Sequence, residues 1–236
     1  MFSVSEYFKF VDNFMFPELF EKKLNGFDDL EQIWDILKRI HRGFVAQKVK
    51  PQILGVVEEG AILKGEDIYV GKNTKIQAGA MIIGPAIIGA NAEIRHGAYI
   101  RGHVIVADGA IVGHSSEVIR SVLLPGAKAP HFNYVGDSIL GTKVNLGAGT
   151  KLSNLKNDVS EVLVKVGNET YETHLKKFGA ILGDNCMIGC NAVTNPGTIM
   201  GRNCRVYPNS TVSGVHSKNA IIKLRQNIEM GTVSED

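Results

Sequence analysis

The chain lacks most of the features that would tie it to a membrane, a nucleic acid or an oxidising compartment. No apolar run approaches the ~18 residues needed to span a bilayer. Three cysteines, Cys186, Cys190 and Cys204, are too few and too oddly counted for a disulfide framework. The 26 basic and 24 acidic residues leave a formal charge of +2, so there is no broad basic field to attract a phosphate backbone. The N-terminal stretch MFSVSEYFKFVDNF mixes charges among its aromatics and has none of the three regions of a signal peptide, so a cytoplasmic location is expected. With 44% apolar and 21% charged residues the chain is neither disordered nor collagen-like despite its 26 glycines. Its 236 residues suit one domain with a small appendage.

What is abundant is repetition. From Val70 an aliphatic residue returns at every sixth position: Val70, Ile76, Ile82, Ile88, Ile94, Ile100, Val106, Val112, Val118 and Leu124. Two positions before each stands a small or β-branched residue, among them Thr74, Ala80, Ala86, Ala92, Ala98, Ala110, Ser116 and Val122. A period of six matches neither the 3.6 of a helix nor the 2 of a simple strand. It suits short strands joined by tight glycine-bearing corners that wind a solenoid and bury both tracks in one column. The phase slips around Pro130 and resumes as Tyr134, Leu140, Leu146 and Leu152, then returns after a gap as Leu182, Ile188, Thr194, Met200, Val206 and Val212.

These breaks divide the chain into three parts. Residues 1–50 form an N-terminal helical segment, 51–216 the β-helix, and 217–236 a C-terminal tail. Asp28 with Glu31 makes a capping box before Leu30, Ile33, Trp34, Leu37 and Ile40 at helical spacing. The Phe-rich stretch from Tyr7 to Leu24 is expected as a second short helix or a plug on the coil's open end. The gap at about 155–176 contains EVLVKVGNETYETH, which reads as a β-hairpin turning at Gly167 and Asn168 and inserted into the coil. The final GTVSED is expected to fray.

Cys186 and Cys204 lie eighteen residues apart in the small track, so they should stack inside the coil as small hydrophobes. His96 and His114 have the same spacing and should stack on one face. A metal centre would need a third ligand of matching geometry, and no metal is expected.

The segment from Lys128 to Asn154, KAPHFNYVGDSILGTKVNLGAGTKLSN, carries His131, Tyr134, Gly136 and Asp137 followed by Asn145, Gly147, Ala148, Gly149 and Thr150. With its H-x-x-Y-x-G-D and N-x-G-A-G-T motifs it resembles the glucosamine-1-phosphate N-acetyltransferase domain of the bifunctional enzymes that make UDP-N-acetylglucosamine. The resemblance spans roughly Ile53 to Arg225. It implies a left-handed parallel β-helix, a homotrimer with active sites at subunit interfaces, acetyl-CoA as cosubstrate, and transfer of its acetyl group to an amino-sugar 1-phosphate.

Residue by residue, the resemblance makes His131 the general base, consistent with a side chain that accepts a proton near neutral pH. The other reading of His131 is a turn histidine satisfied by backbone, and its ordered company of Tyr134, Asn145 and Lys177 favours the catalytic one. Arg101, Tyr134, Asn145 and Lys177 stand where the family surrounds the sugar phosphate. Ala148, Asn154, Cys190 and Arg225 fall at donor positions, with Arg225 suited to a phosphate of coenzyme A. Cys190 reads equally well as a solvent-facing corner residue. The pattern departs at Ile119, where the family has a lysine that the neighbouring Arg120 either replaces or does not, and at Pro208, where it has a small residue.

The nucleotide-cradling G-x-G-T-x-M segment of the bifunctional relatives has no counterpart in this sequence, so uridylyl transfer is not expected of it. The inserted hairpin and the FGAILGDN run from Phe178 more closely resemble archaeal-type sugar-1-phosphate nucleotidylyltransferases with a fused acetyltransferase end, which keeps galactosamine-1-phosphate open as the acceptor. The alternatives are an acyltransferase for another amine or hydroxyl, a partner of a separate nucleotidylyltransferase, and a non-catalytic trimeric scaffold.

Overall fold

A computed structural model describes residues 2–232. The coil is a parallel β-helix with three flat walls. Its first sheet has nine strands, from Gln52–Ile53 to Val215–His216. The second has nine, from Val56–Val57 to Ile221–Ile222, and the third eight, from Ile62–Lys64 to Thr211–Val212. The chain visits the three sheets in turn, and every contact between successive coils is parallel, as in Ile68–Val70 on Ala86–Ile88. Both hexapeptide tracks line one continuous core from Ile68 to Val212. The coil runs on through Ile221–Ile222, which pair with Arg205–Val206, so the tail begins after Ile222 rather than at 217. Of the terminal GTVSED, residues 233–236 lie outside the described residues.

Each corner needs one residue with positive φ, a conformation that costs most side chains about 1 kcal/mol and that glycine and asparagine tolerate best. Asn73, Asn91, Asn185, Asn203 and Asn219 fill that place between the first and second sheets, with φ between 53° and 64°. Their amides stack into ladders, with Asn73 donating to Asn91 at 3.2 Å and Asn203 to Asn219 at 3.0 Å.

The phase slip is not at Pro130. Val118 faces the core, and so does Leu123, whereas Val122 and Leu124 face outward into a second apolar cluster. The corner from third sheet to first carries both Gly102 and His103 at positive φ in one coil and Arg120 alone in the next, then Asp137 alone. One residue is lost at each of the Arg120 and Asp137 corners. Because side chains alternate faces along a strand, each loss exchanges the inward and outward sets that follow. Thus Val135 enters the core and Tyr134 turns outward.

The N-terminal segment does not plug the end of the coil. It lies over the outer face of the first sheet, where Tyr69, Ile87, Ile105, Val122, Ile139, Ile181, Ile199 and Val215 form one column in register. Trp34, Phe8, Phe44, Leu19 and Ile40 bury that column from above. Its helices are short, at Val4–Tyr7, Asp35–His41 and Phe44–Lys48. The capping box at Asp28 does not form. Asp35 instead accepts hydrogen bonds from the Glu31 and Gln32 amides at 3.0 and 2.7 Å, which delays the helix. The segment is organised by Arg39, 2% exposed, whose guanidinium donates to the carbonyls of Leu19, Glu21, Lys22 and Asp28. It is clamped to the coil by Asp184, which accepts from the Lys9 and Thr142 amides at 2.7 and 2.8 Å. The hairpin, Leu163–Val166 against Glu169–Glu172, packs back on the same cluster through Val162, Val164 and Tyr171 rather than standing clear of the coil.

Cys186 and Cys204 are buried in the small track, with thiols donating to the carbonyls of Gly201 and Ser217 at 3.1 and 3.2 Å. The rings of His96 and His114 stack 5.7 Å apart at 14°.

Gly113 lies opposite Pro130, and a Cβ on it would overlap the Pro130 carbonyl. That backbone cannot give way, so Gly113→Ala should cost about 3 kcal/mol or more in urea unfolding. Gly109, at φ 65° with open space around it, should cost only about 1 kcal/mol on the same change.

Candidate functional site

The corner between the second and third sheets stacks one residue from each coil. Phe132, Gly149, Asn191 and Asn209 hold positive φ there, which puts His131, Ala148, Cys190 and Pro208 in one column. The column is tied coil to coil, with the Gly149 amide donating to the His131 carbonyl at 3.0 Å and the Asn191 amide to the Ala148 carbonyl at 2.8 Å. Below His131 the column continues as His114, its register partner, and His96. The spacing of His131 from His114 is seventeen rather than eighteen, which hid this neighbour relation from the hexapeptide pattern.

His131 ends the strand Lys128–His131 and is exposed. Its amide donates at 3.1 Å to Oδ1 of Asn133. Asn133 is buried, and its Nδ2 donates to the Gly147 carbonyl at 2.8 Å. This buried amide pins the His131 corner to the coil carrying Ala148. Phe132 keeps an exposed ring at φ 51°, a conformation rare for a bulky residue and met where a site constrains the backbone. Among the described residues the Ala148 N–H meets no protein acceptor.

The third sheet's outer face carries the predicted acceptor residues. Arg101 ends Tyr99–Arg101, and its Nη1 donates to Glu117 Oε1 at 2.5 Å. Glu117 lies in register with Tyr134. The hydroxyl of half-buried Tyr134 donates to Asn154 Oδ1 at 3.4 Å, and burial, with the charges of Glu117 and Asp137, pushes its phenol up.

At the far edge of this face sits Asp137, a carboxylate with no exposed surface. Its Oδ1 accepts from His41 Nε2 at 2.7 Å and from Arg120 Nε at 2.6 Å. Its Oδ2 accepts from Arg120 Nη2 at 3.0 Å and from Asn154 Nδ2. Burial alone would raise this carboxyl, but the hydrogen bonds and charges of His41 and Arg120 outweigh it and hold the group below the usual carboxylate range. The main chain adds two links, Asp137 O to the Gly179 amide at 2.8 Å and Asn154 O to the Phe178 amide at 2.9 Å. These seat the returning strand that carries exposed Lys177.

The fold therefore brings together Arg101, Tyr134, Asn154 and Lys177 on one wall and its edge, with His131 at the opposite edge beside Ala148 and Cys190. Asn154, expected with the donor, stands with the acceptor residues. Asn145 lies around the corner on the second sheet, paired with Lys128 and Met187. Arg225 follows Ile221–Ile222 in an exposed, irregular stretch. Arg120 does not take the place of the missing lysine on this wall, because two of its donors are committed to Asp137. Sequence reading missed His41, Asn133 and Glu117. Of these, only Glu117 sat in a readable position, two residues before Ile119 on an outward strand.

A three-walled coil of hexapeptide repeats with a histidine at one corner and arginine, tyrosine and asparagine on the adjoining wall defines the hexapeptide-repeat β-helix class. Residues 82–222 match the GMPPB C-terminal domain, and the chain belongs to that family. It is 35% identical over 185 residues to a bifunctional sugar-1-phosphate nucleotidylyltransferase/acetyltransferase of Sulfurisphaera tokodaii, covering 78% of this chain and 46% of that protein. It is 33% identical over 207 residues to the bifunctional protein GlmU of Methanocaldococcus jannaschii, covering 87% and 50%. The chain thus spans about half the length of the curated relatives it matches. Among solved structures, the UDP-N-acetylglucosamine acyltransferase of Francisella novicida aligns with a TM-score of 0.46 and 15% identity over 69% of this chain and 66% of that one.

Asp137 supplies a pH test. A carboxyl whose folded pKa is depressed contributes stability that is present above its unfolded value of ~3.9 and is lost as pH falls through the folded value. Asp137→Asn should lower the melting temperature at neutral pH, with a cost of about 3 kcal/mol for removing the charge of a fully buried carboxylate paired with the partly exposed Arg120. The gap between variant and wild type should hold above about pH 4 and narrow as pH falls from there through the depressed folded value. A gap that does not narrow at all as the solution is made acid would show that the charge of Asp137 is not what the network needs.

Proposed function

We propose that this chain is an N-acetyltransferase that moves the acetyl group of acetyl-CoA to the amine of an amino-sugar 1-phosphate, glucosamine-1-phosphate first, in nucleotide-sugar synthesis. The observation that carries the reading is the corner column. An exposed histidine, anchored by a buried asparagine, stands one coil from an amide N–H with no protein acceptor, beside a wall bearing Arg101, Tyr134 and Asn154. The similarity to the bifunctional sugar-1-phosphate nucleotidylyltransferase/acetyltransferase of Sulfurisphaera tokodaii supports an acetyltransferase.

In this reading His131 takes a proton from the acceptor amine as its nitrogen attacks the thioester carbon. The C–S bond breaks, and coenzyme A leaves as the thiol once it receives that proton. The Ala148 N–H is the donor to the developing oxyanion, a role that preorganised backbone amides perform at little reorganisation cost. Arg101 and Lys177 hold the sugar phosphate, Tyr134 and Asn154 its hydroxyl groups, and Arg225 a phosphate of coenzyme A. Asn145 lies on the second sheet, so a homotrimer that sets this sheet against a neighbour's third sheet would complete the site. The 42% exposure of Met187, next to Asn145 in register, supports such a cover.

One observation favours a different acceptor. Arg101 is paired with Glu117, Arg120 is turned to Asp137, and Ile119 replaces a cation, so the wall offers a phosphate less charge than the resemblance implies. Thiol release from acetyl-CoA should therefore be measured with glucosamine-1-phosphate and galactosamine-1-phosphate, comparing wild type with His131→Ala. Turnover in the wild type and a loss of ~10²–10⁴-fold in the variant, at unchanged oligomeric mass, is the expected result. No thiol release with either sugar would overturn the reading.

A further inference from the structure

His41 is foreign to the coil. It closes the helix Asp35–His41 in the segment laid over the first sheet, and meets Asp137 across 96 residues of sequence. Nothing in the fold of that segment requires the contact, since its own core of Trp34, Ile36, Leu37 and Ile40 is fully buried without it. The imidazole is 24% exposed, and among the described residues it is the one group of the N-terminal segment that hydrogen-bonds the buried carboxylate.

What hangs on that carboxylate is the acceptor wall. With Asp137 ionised, His41 donates through Nε2–H to Oδ1, which shares its remaining capacity with Arg120 Nε. This fixes the carboxylate plane and aims Oδ2 at Asn154 Nδ2. Asn154 in turn receives the Tyr134 hydroxyl on Oδ1 and the Phe178 amide on its carbonyl, directly after Lys177. Without His41, Oδ1 keeps a single partner. The existing Arg120 fork, Nε on Oδ1 and Nη2 on Oδ2, then holds the carboxylate from one side only, and the group is free to swing about that fork so that Oδ2 turns from Asn154.

Resting on the acetyltransferase reading, we propose that His41 is a positioning residue of the acceptor site, through which the N-terminal segment sets Asn154, Tyr134 and Lys177 by way of Asp137. The segment then does more than bury the first sheet: the acceptor wall is held in its working geometry only while residues 2–50 are docked.

The test uses the full chain with His41→Leu, which removes the donor, and His41→Gln, which keeps an N–H at similar reach. Two readouts are taken, steady-state kinetics in both substrates and amide hydrogen exchange by mass spectrometry. His41→Leu should lower kcat/KM for the amino-sugar phosphate about tenfold, mainly through KM, with KM for acetyl-CoA held within about twofold, and His41→Gln should restore most of the loss. Exchange should quicken at the Phe178 and Gly179 amides and stay unchanged at Glu93–Ile94, a strand of the second sheet two coils before His131. A loss shared equally by both substrates, a loss that glutamine does not rescue, or unchanged exchange at Phe178 and Gly179 would overturn the proposal. Should the wild type transfer no acetyl group, the proposed function fails on its own account. The exchange data alone then decide whether His41 positions these residues.

Discussion

A carboxylate with no access to water must be surrounded by donors, or it would not stay ionised. Asp137 meets this demand with groups from three layers of the chain: His41 from the N-terminal segment, Arg120 from the coil below and Asn154 from the coil above. Its main-chain carbonyl holds the strand that returns from the inserted hairpin. Three pieces distant in sequence are thus referred to one pair of carboxylate oxygens, and a fourth to the main chain of the same residue. Coil geometry places Tyr134 on the third sheet, while Asn154 and the strand after Lys177 are bonded directly to Asp137.

The same corner explains the irregular winding. A coil of three hexapeptides leaves room for two residues at positive φ between third and first sheets, as at Gly102 and His103. Removing one residue at the Arg120 and Asp137 corners draws successive coils' corner side chains into direct line, seventeen residues apart. Arg120 then lies under Asp137 and can clasp it with two hydrogen bonds. The shortened corners also reverse the inward and outward sets that follow, which exposes Tyr134 on the wall and sends Val135 to the core. The break in the repeat is therefore the means by which a site is built on an otherwise monotonous surface.

Division of labour follows from the triangular section. The corner between second and third sheets offers stacked residues with outward main-chain groups, suited to a thioester and its oxyanion. The flat third sheet offers side chains spaced about 4.8 Å from coil to coil, suited to a polyhydroxylated ring. The first sheet, apolar on its outer face, is closed to solvent by the N-terminal segment and the hairpin, so the candidate site falls on the other two walls.

Much of this was legible in the residues. The two hexapeptide tracks gave the coil, the stacked cysteines and the interrupting hairpin, because a solenoid's core is set by local period and each coil repeats the last. The motif from His131 to Thr150 marked the corner and the wall. The outer column of Ile87, Ile105, Ile139, Ile181 and Ile199 went unread, and a plugged end was expected where the structure has a covered face. Other features had no local sign. A one-residue loss at a corner looks the same in sequence wherever it falls between two tracks, so the slip was placed at Pro130 instead of Arg120. Arg39 carried no sign of burial in its neighbours along the chain, yet the carbonyls of an irregular loop draw it inside. His41 had no motif at all. The period determined which residues enter the core, since burial repeats with the backbone; the tertiary structure alone decided which charges meet, because a buried carboxylate selects its partners by distance in space and not along the chain.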